Sequence, residues 1–322
     1  MKKVLVTGKF HLKYLLSSCL LVLCAAPSLA RPSHHSFLFV LYFAMSYFIV
    51  LCFIGGNKGI GKAICQLLLE QYPDVHVILG SRDPTRGQQA VSDITATLGS
   101  DKVQGRLETL TLDTGSDDSV KQAATKLKDT RLYGIINNAG VHSGSDYDLT
   151  VNTNYLGPRR VCEALLKNME RPGGRIVNIG SASGPMYVAA CRTKDVATKL
   201  SQPWTMTESL KDLDNIANNH QSGDAYGFSK ALLAAYTWIL AKEEPDLLVN
   251  TVTPGFIDTD MTAGWGASKT PADGAVPPVW LLMSDDILNL PTGRYYGSDC
   301  KRSPLDVYRG PGDPVYEGPD GK

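Results

Sequence analysis

From Gly55 to about residue 300 the chain alternates short apolar runs with amphipathic stretches, and this alternation limits its fold more than any other feature. After a glycine-rich turn at 55–61, the pattern predicts a helix over 58–71, a strand at 75–80 (VHVILG), a helix over 84–98, a strand near 106–112, a helix near 117–128 and a strand at 132–137. It continues with one long helix near 149–169, a strand at 175–180, a helix over 224–242, a strand at 247–252 and a helix near 272–283. Strands this short and apolar bury both faces, and parallel neighbours need a crossover of helical length. The expected architecture is α/β, a doubly wound parallel sheet covered by helices, forming one domain over 48–300. The Pro-, Gly- and Asp-rich end, 301–322, is expected to be a loosely packed polar tail.

The first part of the chain breaks the pattern. Residues 14–30 (YLLSSCLLVLCAAPSLA) read like a secretory signal, and 37–54 run without a charge, close to the ~20 apolar residues that span a bilayer. Yet MKKVLVTG at 1–8 is a strand pattern ending in a glycine turn, and joining Gly8 to Gly56 gives an uninterrupted strand, loop and helix. The segment between them reads as an insertion; Gly8-Lys9-Phe10 and Ile54-Gly55 permit splice-like codons, so a retained intron would account for it. Two segments therefore compete for the first strand, 2–7 and 48–54, and the nearer is favoured because it needs no long loop. In that case 9–47 becomes part of an N-terminal extension.

Lys and Arg total 32, matched by 32 Asp and Glu, so no net field draws the protein to nucleic acid. Seven cysteines, widely spaced and without a C-x-x-C pair, fit neither a disulfide framework nor a zinc site, and the scattered histidines add no metal site. Reduced thiols in the cytoplasm are the expectation; a membrane anchor through 37–54 is the alternative.

The turn Gly55-Gly56-Asn57-Lys58-Gly59-Ile60-Gly61 lies where strand passes to helix, so its backbone and the helix N-terminus can approach a pyrophosphate. About 20 residues after such a loop, an acidic side chain binds a ribose 2′-hydroxyl, whereas arginine there accommodates a 2′-phosphate. Here the stretch is Gly80-Ser81-Arg82-Asp83. Ser81 and Arg82, with Lys58 in the loop, suit a phosphate dianion and favour NADP over NAD, although Asp83 leaves room for NAD.

Tyr226 and Lys230 in AYGFSK share one face of a predicted helix and can reach a common point. They follow a strand ending in Asn178-Ile179-Gly180-Ser181 and precede one ending in Thr253-Pro254-Gly255. With the glycine loop, Asn137-Asn138-Ala139-Gly140, Asn154, Ser181 and PGFIDTDM at 254–261, the chain resembles the short-chain dehydrogenase/reductase family, a Rossmann-type fold. Within that family it is most similar to NADPH-dependent carbonyl reductases, in SRDPTRGQQAV at 81–91, TNYLGPRRVC at 153–162 and the wide gap between Ser181 and Tyr226.

The resemblance implies hydride transfer from NADPH to the carbonyl of a small aldehyde, ketone or quinone. It implies Tyr226 as general acid, Ser181 holding the substrate oxygen, Lys230 holding the nicotinamide ribose and Asn154 anchoring a water that relays protons to Lys230. It places Gly55, Asn57, Lys58, Gly59, Ile60 and Gly61 around the pyrophosphate, Asp113 at the adenine amino group, and Asn137 or Ala139 along the adenosine ribose, with Gly140 also in the cofactor site. Pro254, Gly255, Ile257 and Thr259 would border the nicotinamide, with the Ile257 backbone and the Thr259 hydroxyl reading its carboxamide. The long stretch before Tyr226 would form a helical insertion over a face otherwise used for oligomer contacts, implying a monomer. Met186 and Cys191 are expected to be packing residues.

Overall fold

Alternate side chains along a buried strand serve opposite helical layers, and this period of two organises the computed structural model, which describes residues 49–142, 146–220 and 222–318. Ile135 of β4 (Gly134–Asn137) and Ile176 of β5 (Arg175–Ile179) enter one apolar cluster, while their neighbours Ile136 and Val177 enter the other. The remaining strands are β1 (Ile49–Ile54), β2 (Val75–Ser81), β3 (Leu107–Thr111), β6 (Leu248–Val252), β7 (Tyr295–Tyr296) and β8 (Arg302–Ser303). They form one sheet in the order β3-β2-β1-β4-β5-β6-β7-β8, parallel throughout except for the β7–β8 pair. The strand order reverses between β1 and β4, the switch point where doubly wound folds bind their ligands.

Of the two segments that compete for the first strand, Ile49–Ile54 fills the central slot, in register with Val75–Gly80 on one side and Gly134–Asn137 on the other. Residues 49–54, the end of the apolar run 37–54, are therefore a sheet strand, and 37–48 lie outside the described residues. Residues 2–7, and the leader-like and inserted stretches up to 47, lie outside the described residues. Among the described residues no helix is long and apolar enough to cross a membrane.

Helices α1 (Gly59–Gln71) and α2 (Pro84–Leu98) follow β1 and β2, and α3 (Asp117–Lys126) follows β3. The long helix expected over 149–169 is broken into α4 (Tyr147–Val151), a π-helical turn (Asn152–Leu156), α5 (Gly157–Leu165) and a short 3₁₀ turn. Pro158 is the cause that the sequence offers: it has no N–H for the Asn154 carbonyl, so α-helical pairing cannot continue there.

Between β5 and β6 come α6 (Ser183–Ala190), α7 (Lys194–Ser201), α8 (Ser209–Asn219) and α9 (Ala225–Glu243), and α10 (Pro271–Met283) follows β6. The insertion is anchored by chemistry as well as packing. Leu213, Ile216 and Ala217 of α8 join the core, and Asp214 receives Arg159 of α5 and, at 3.1 Å, the Tyr155 hydroxyl.

The tail is not loose as far as residue 318. Arg309 is buried, holds both carboxylate oxygens of Asp299 and donates to the Pro314 and Asp313 carbonyls. That network, with the β7–β8 pairing, fixes a segment whose polar composition alone favoured mobility.

Candidate active site

The glycine loop leaves β1 through Gly55 (φ +78°), whose N–H and that of Gly56 both donate to the Gly80 carbonyl, at 3.1 and 3.0 Å. Gly61 lacks room for any side chain, since a Cβ there would lie 2.2 Å from the Gly55 carbonyl oxygen. Gly59 has φ +54°. Lys58 takes the N-cap position of α1 without its side chain capping the helix. These features suit close approach of an anion to the backbone. Asn57 and Ile60 are half-buried beside them. Asn138, which the motif reading used only as a marker, ties the turn down: its Nδ2 donates to the Gly55 carbonyl at 2.9 Å.

At the end of β2, Ser81 is buried and donates to the Asp83 carbonyl at 2.7 Å, while Arg82 is exposed. Asp83 caps α2, accepting the Arg86 N–H at 3.1 Å, and its carboxylate also faces the Arg86 guanidinium at 3.5 Å. The carboxylate that left room for NAD is therefore committed to a helix terminus. Lys58 pairs with Asp260, 2.7 Å away, a partner that the sequence did not indicate.

Asp113 is exposed after β3 and accepts the Gly115 N–H at 3.0 Å. Asn137 departs from expectation: its side chain is buried within the sheet, donating to Asn178 Oδ1 at 2.8 Å and to Cys162 Sγ at 3.4 Å. Strand alternation turns this side chain toward Cys162 of α5 and away from the loops. Ala139 and Gly140 are half-buried past the strand end, and Ala139 packs against Gly55.

Asn154 is fully buried in the π turn. Its Oδ1 accepts the Val141 N–H at 2.8 Å, and its Nδ2 donates to the Val141 carbonyl at 2.9 Å and to Ser229 Oγ at 3.0 Å. The carboxamide is spent on holding the loop after β4.

Ser181, Tyr226 and Lys230 converge. The Tyr226 phenol lies near enough to Ser181 for the serine hydroxyl to favour its ionised form. The Lys230 ammonium lies 5.7 Å from the centre of the Tyr226 ring and donates to the Ile179 carbonyl at 2.8 Å. Ser181 Oγ also accepts the Ser183 N–H, at 3.2 Å. Asp224 caps α9 through the Gly227 N–H, fixing the helix turn that carries the tyrosine. Burial raises the Tyr226 phenol above its ordinary value, opposed by the Ser181 hydroxyl and aided by the Asp224 carboxylate. Burial alone lowers Lys230 to about 8.

Two aromatic residues that sequence reasoning passed over complete this side. The His142 ring lies 5.0 Å from the Tyr226 ring, and Trp265 meets His142 edge-on at the same separation. Trp265 is 53% exposed and Met186 is 55% exposed, so Met186 is not the packing residue that was expected. Cys191 is half-buried against the core, as expected.

Pro254 and Gly255 (φ +99°) follow β6, and Gly255 packs against Ser298, for which a Cβ would leave 3.3 Å. Beyond them, Thr262 organises the segment: its hydroxyl donates to the Ile257 carbonyl at 2.5 Å and accepts the Thr259 N–H at 3.0 Å. The Thr259 hydroxyl lies 3.3 Å from the same Thr262 oxygen. Thr262 stood just past the motif and gave no signal in isolation.

A family model for short chain dehydrogenases matches residues 49–199. A carbonyl reductase [NADPH] 3 of Mus musculus is 30% identical over 256 residues, covering 71% of this chain and 88% of that protein. The chain belongs to the short-chain dehydrogenase/reductase family. A (+)-neomenthol dehydrogenase of Arabidopsis thaliana is 32% identical over 279 residues, covering 71% of this chain and 89% of that relative. Among solved structures, salutaridine reductase from Papaver somniferum aligns with a TM-score of 0.67 at 25% identity, over 77% of this chain and 99% of that one. As a member of the family, this chain places its conserved-type elements at the carboxyl edge of the sheet, where β1, β4, β5 and β6 all end.

Proposed function

We propose that the chain is an NADPH-dependent carbonyl reductase that converts an aldehyde, ketone or quinone to its alcohol. One observation carries the reading: the half-buried Tyr226 phenol and the Ser181 hydroxyl come together, with the Lys230 ammonium 5.7 Å from the centre of the tyrosine ring. The similarity to a carbonyl reductase [NADPH] supports it. Bound NADPH would supply a hydride to the carbonyl carbon.

The residues present fit that nucleotide. Gly55 to Gly61 and the α1 N-terminus, which no side chain caps, offer backbone N–H groups to a pyrophosphate. Arg82 and Lys58 offer cations to the 2′-phosphate, with Asp83 withdrawn into a helix cap. Asp113 is exposed for the adenine, and Ala139 and Gly140 border the ribose. Pro254, Gly255, Ile257 and Thr259 form the wall beside the nicotinamide, held by Thr262.

Tyr226, neutral at pH 7 because its phenol is raised, donates its proton to the carbonyl oxygen as charge develops there. Ser181 hydrogen-bonds the same oxygen and steadies its charge. Lys230 stabilises the phenolate left behind and reaches the nicotinamide ribose. Asn154 acts through its grip on Val141 and Ser229 rather than on the reacting atoms.

Monomeric state and cytoplasmic location belong to the same proposal. Helix α8 covers part of the α5–α9 face through Leu213, Ile216 and the Asp214–Arg159 pair. Cys162, Cys191 and Cys300 are thiols outside any disulfide.

The test is purified full-length protein with NADPH and a panel of aldehydes, ketones and quinones, followed by loss of reduced-cofactor absorbance. Turnover that disappears in Tyr226→Phe is the expected result. Absence of turnover in the full chain and in a chain lacking residues 9–55 would reject the reading.

A further inference from the structure

The carboxyl end of β2 abuts the glycine loop, because Gly55 and Gly56 both hydrogen-bond the Gly80 carbonyl. Arg82 and Lys58, the two cations assigned above to the 2′-phosphate, therefore flank one edge of the cleft. They are not equivalent. Arg82 is exposed, and the neighbouring Asp83 is occupied by the α2 cap and Arg86. Lys58 is already neutralised by Asp260, which approaches from the segment after Gly255. Thr259, next to Asp260, lies against the loop, where a Cβ on Gly59 would be 3.4 Å from its Cγ2.

We propose that Asp260 competes with the 2′-phosphate of NADPH for Lys58 and thereby sets how strongly the chain discriminates NADPH from NADH. The inference rests on the reductase reading and adds a specificity-determining residue to it.

The physical argument is one of charge. The Lys58 and Asp260 side chains are 63% and 77% exposed, so the pair is held weakly and exchanges readily. A 2′-phosphate brings more negative charge than one carboxylate and can engage Arg82 at the same time. The displaced Asp260 is an exposed carboxylate, ionised at neutral pH, and is left facing a like charge. NADPH must overcome both the lost pair and this repulsion; NADH, with a 2′-hydroxyl, meets neither. Binding of NADPH thus breaks the Lys58–Asp260 pair, and binding of NADH leaves it intact.

The experiment is equilibrium titration of the full chain with NADPH and, separately, NADH, using wild type, Asp260→Asn, Lys58→Met and the double variant. Asp260→Asn should bind NADPH about three- to tenfold tighter, with NADH affinity within about twofold of wild type. In the Lys58→Met background the same change should give a markedly smaller gain, because the contested cation is gone. Equal shifts for both nucleotides, weaker NADPH binding by Asp260→Asn, or an undiminished gain without Lys58 would each overturn the proposal. Wild-type protein that binds neither nucleotide would instead reject the reductase reading beneath it.

Discussion

Lys230 Nζ donates a 2.8 Å hydrogen bond to the carbonyl of Ile179, the residue that ends β5 two positions before Ser181. That bond joins the helix carrying Tyr226 to the strand carrying Ser181, so the three groups are positioned by one strand–helix contact. Lys230 is buried at 5% exposure and, among the described residues, has no carboxylate partner to offset the desolvation of its ammonium.

The first consequence is a pH limb. Burial lowers Lys230 to about 8, so it loses its charge as the pH rises through that value and ceases to favour the phenolate of Tyr226. Reduction kcat/KM should be level below about pH 8 and fall above it. Lys230→Arg keeps the charge throughout and should move the limb out of range at a lower absolute rate. A limb unchanged in that variant would show that another group titrates.

The same burial costs stability. With the folded value lowered from 10.5 to about 8, the unfolded chain binds more protons between those limits, so stability rises with pH across that window. Below about 8 both states are protonated and the penalty is fully present. Lys230→Met removes the titration, and urea unfolding should lose a rise on the order of 3 kcal/mol over the window. An identical pH profile in the variant would contradict the assignment.

Asn154 spends its carboxamide on Val141 and Ser229. Asn154→Ala leaves the Val141 N–H and carbonyl without these partners, which should cost about 2 kcal/mol or more. The loop after β4 should loosen, so the KM for NADPH should rise together with the fall in Tm. A normal melting curve with lost turnover would instead place Asn154 in the chemistry.

Asp214 joins α8 to Arg159 and Tyr155. Asp214→Ala should lower stability by about 1–3 kcal/mol and open α8 to limited proteolysis, leaving the sheet intact. Light scattering should give a monomer mass for wild type. A dimer or tetramer there would remove the proposed role of the insertion.

Trp265 and His142 extend an aromatic wall from the Tyr226 ring. Trp265→Ala should raise the KM for flat aromatic ketones several-fold while leaving kcat for small aliphatic aldehydes near wild type. His142→Phe should preserve both, because stacking rather than proton exchange is the role assigned to the ring. Equal losses for both substrate classes would argue against a substrate-facing wall.

Much of the fold was legible because each strand and helix announces itself through a local period, and β2, α2 and α9 were read nearly to the residue. Three readings failed where a local signal met a distant partner. Composition marked 301–322 as loose, but Arg309 finds Asp299 and fixes the segment. Asn137 was read as lying along a ribose, and strand parity sends its side chain to Asn178. Lys58 was read only as a cation for a phosphate, and Asp260, far along the chain, pairs with it.

The sequence alone determined the alternation of elements and the residue types that could do reductive chemistry, since both depend on near neighbours and on intrinsic side-chain properties. Only tertiary structure decided which apolar segment became β1, where the Asn154 carboxamide was spent, and that the His142 ring meets both Tyr226 and Trp265. Those outcomes depend on hydrogen bonds, charges and ring contacts between residues that the chain brings together only when the sheet closes.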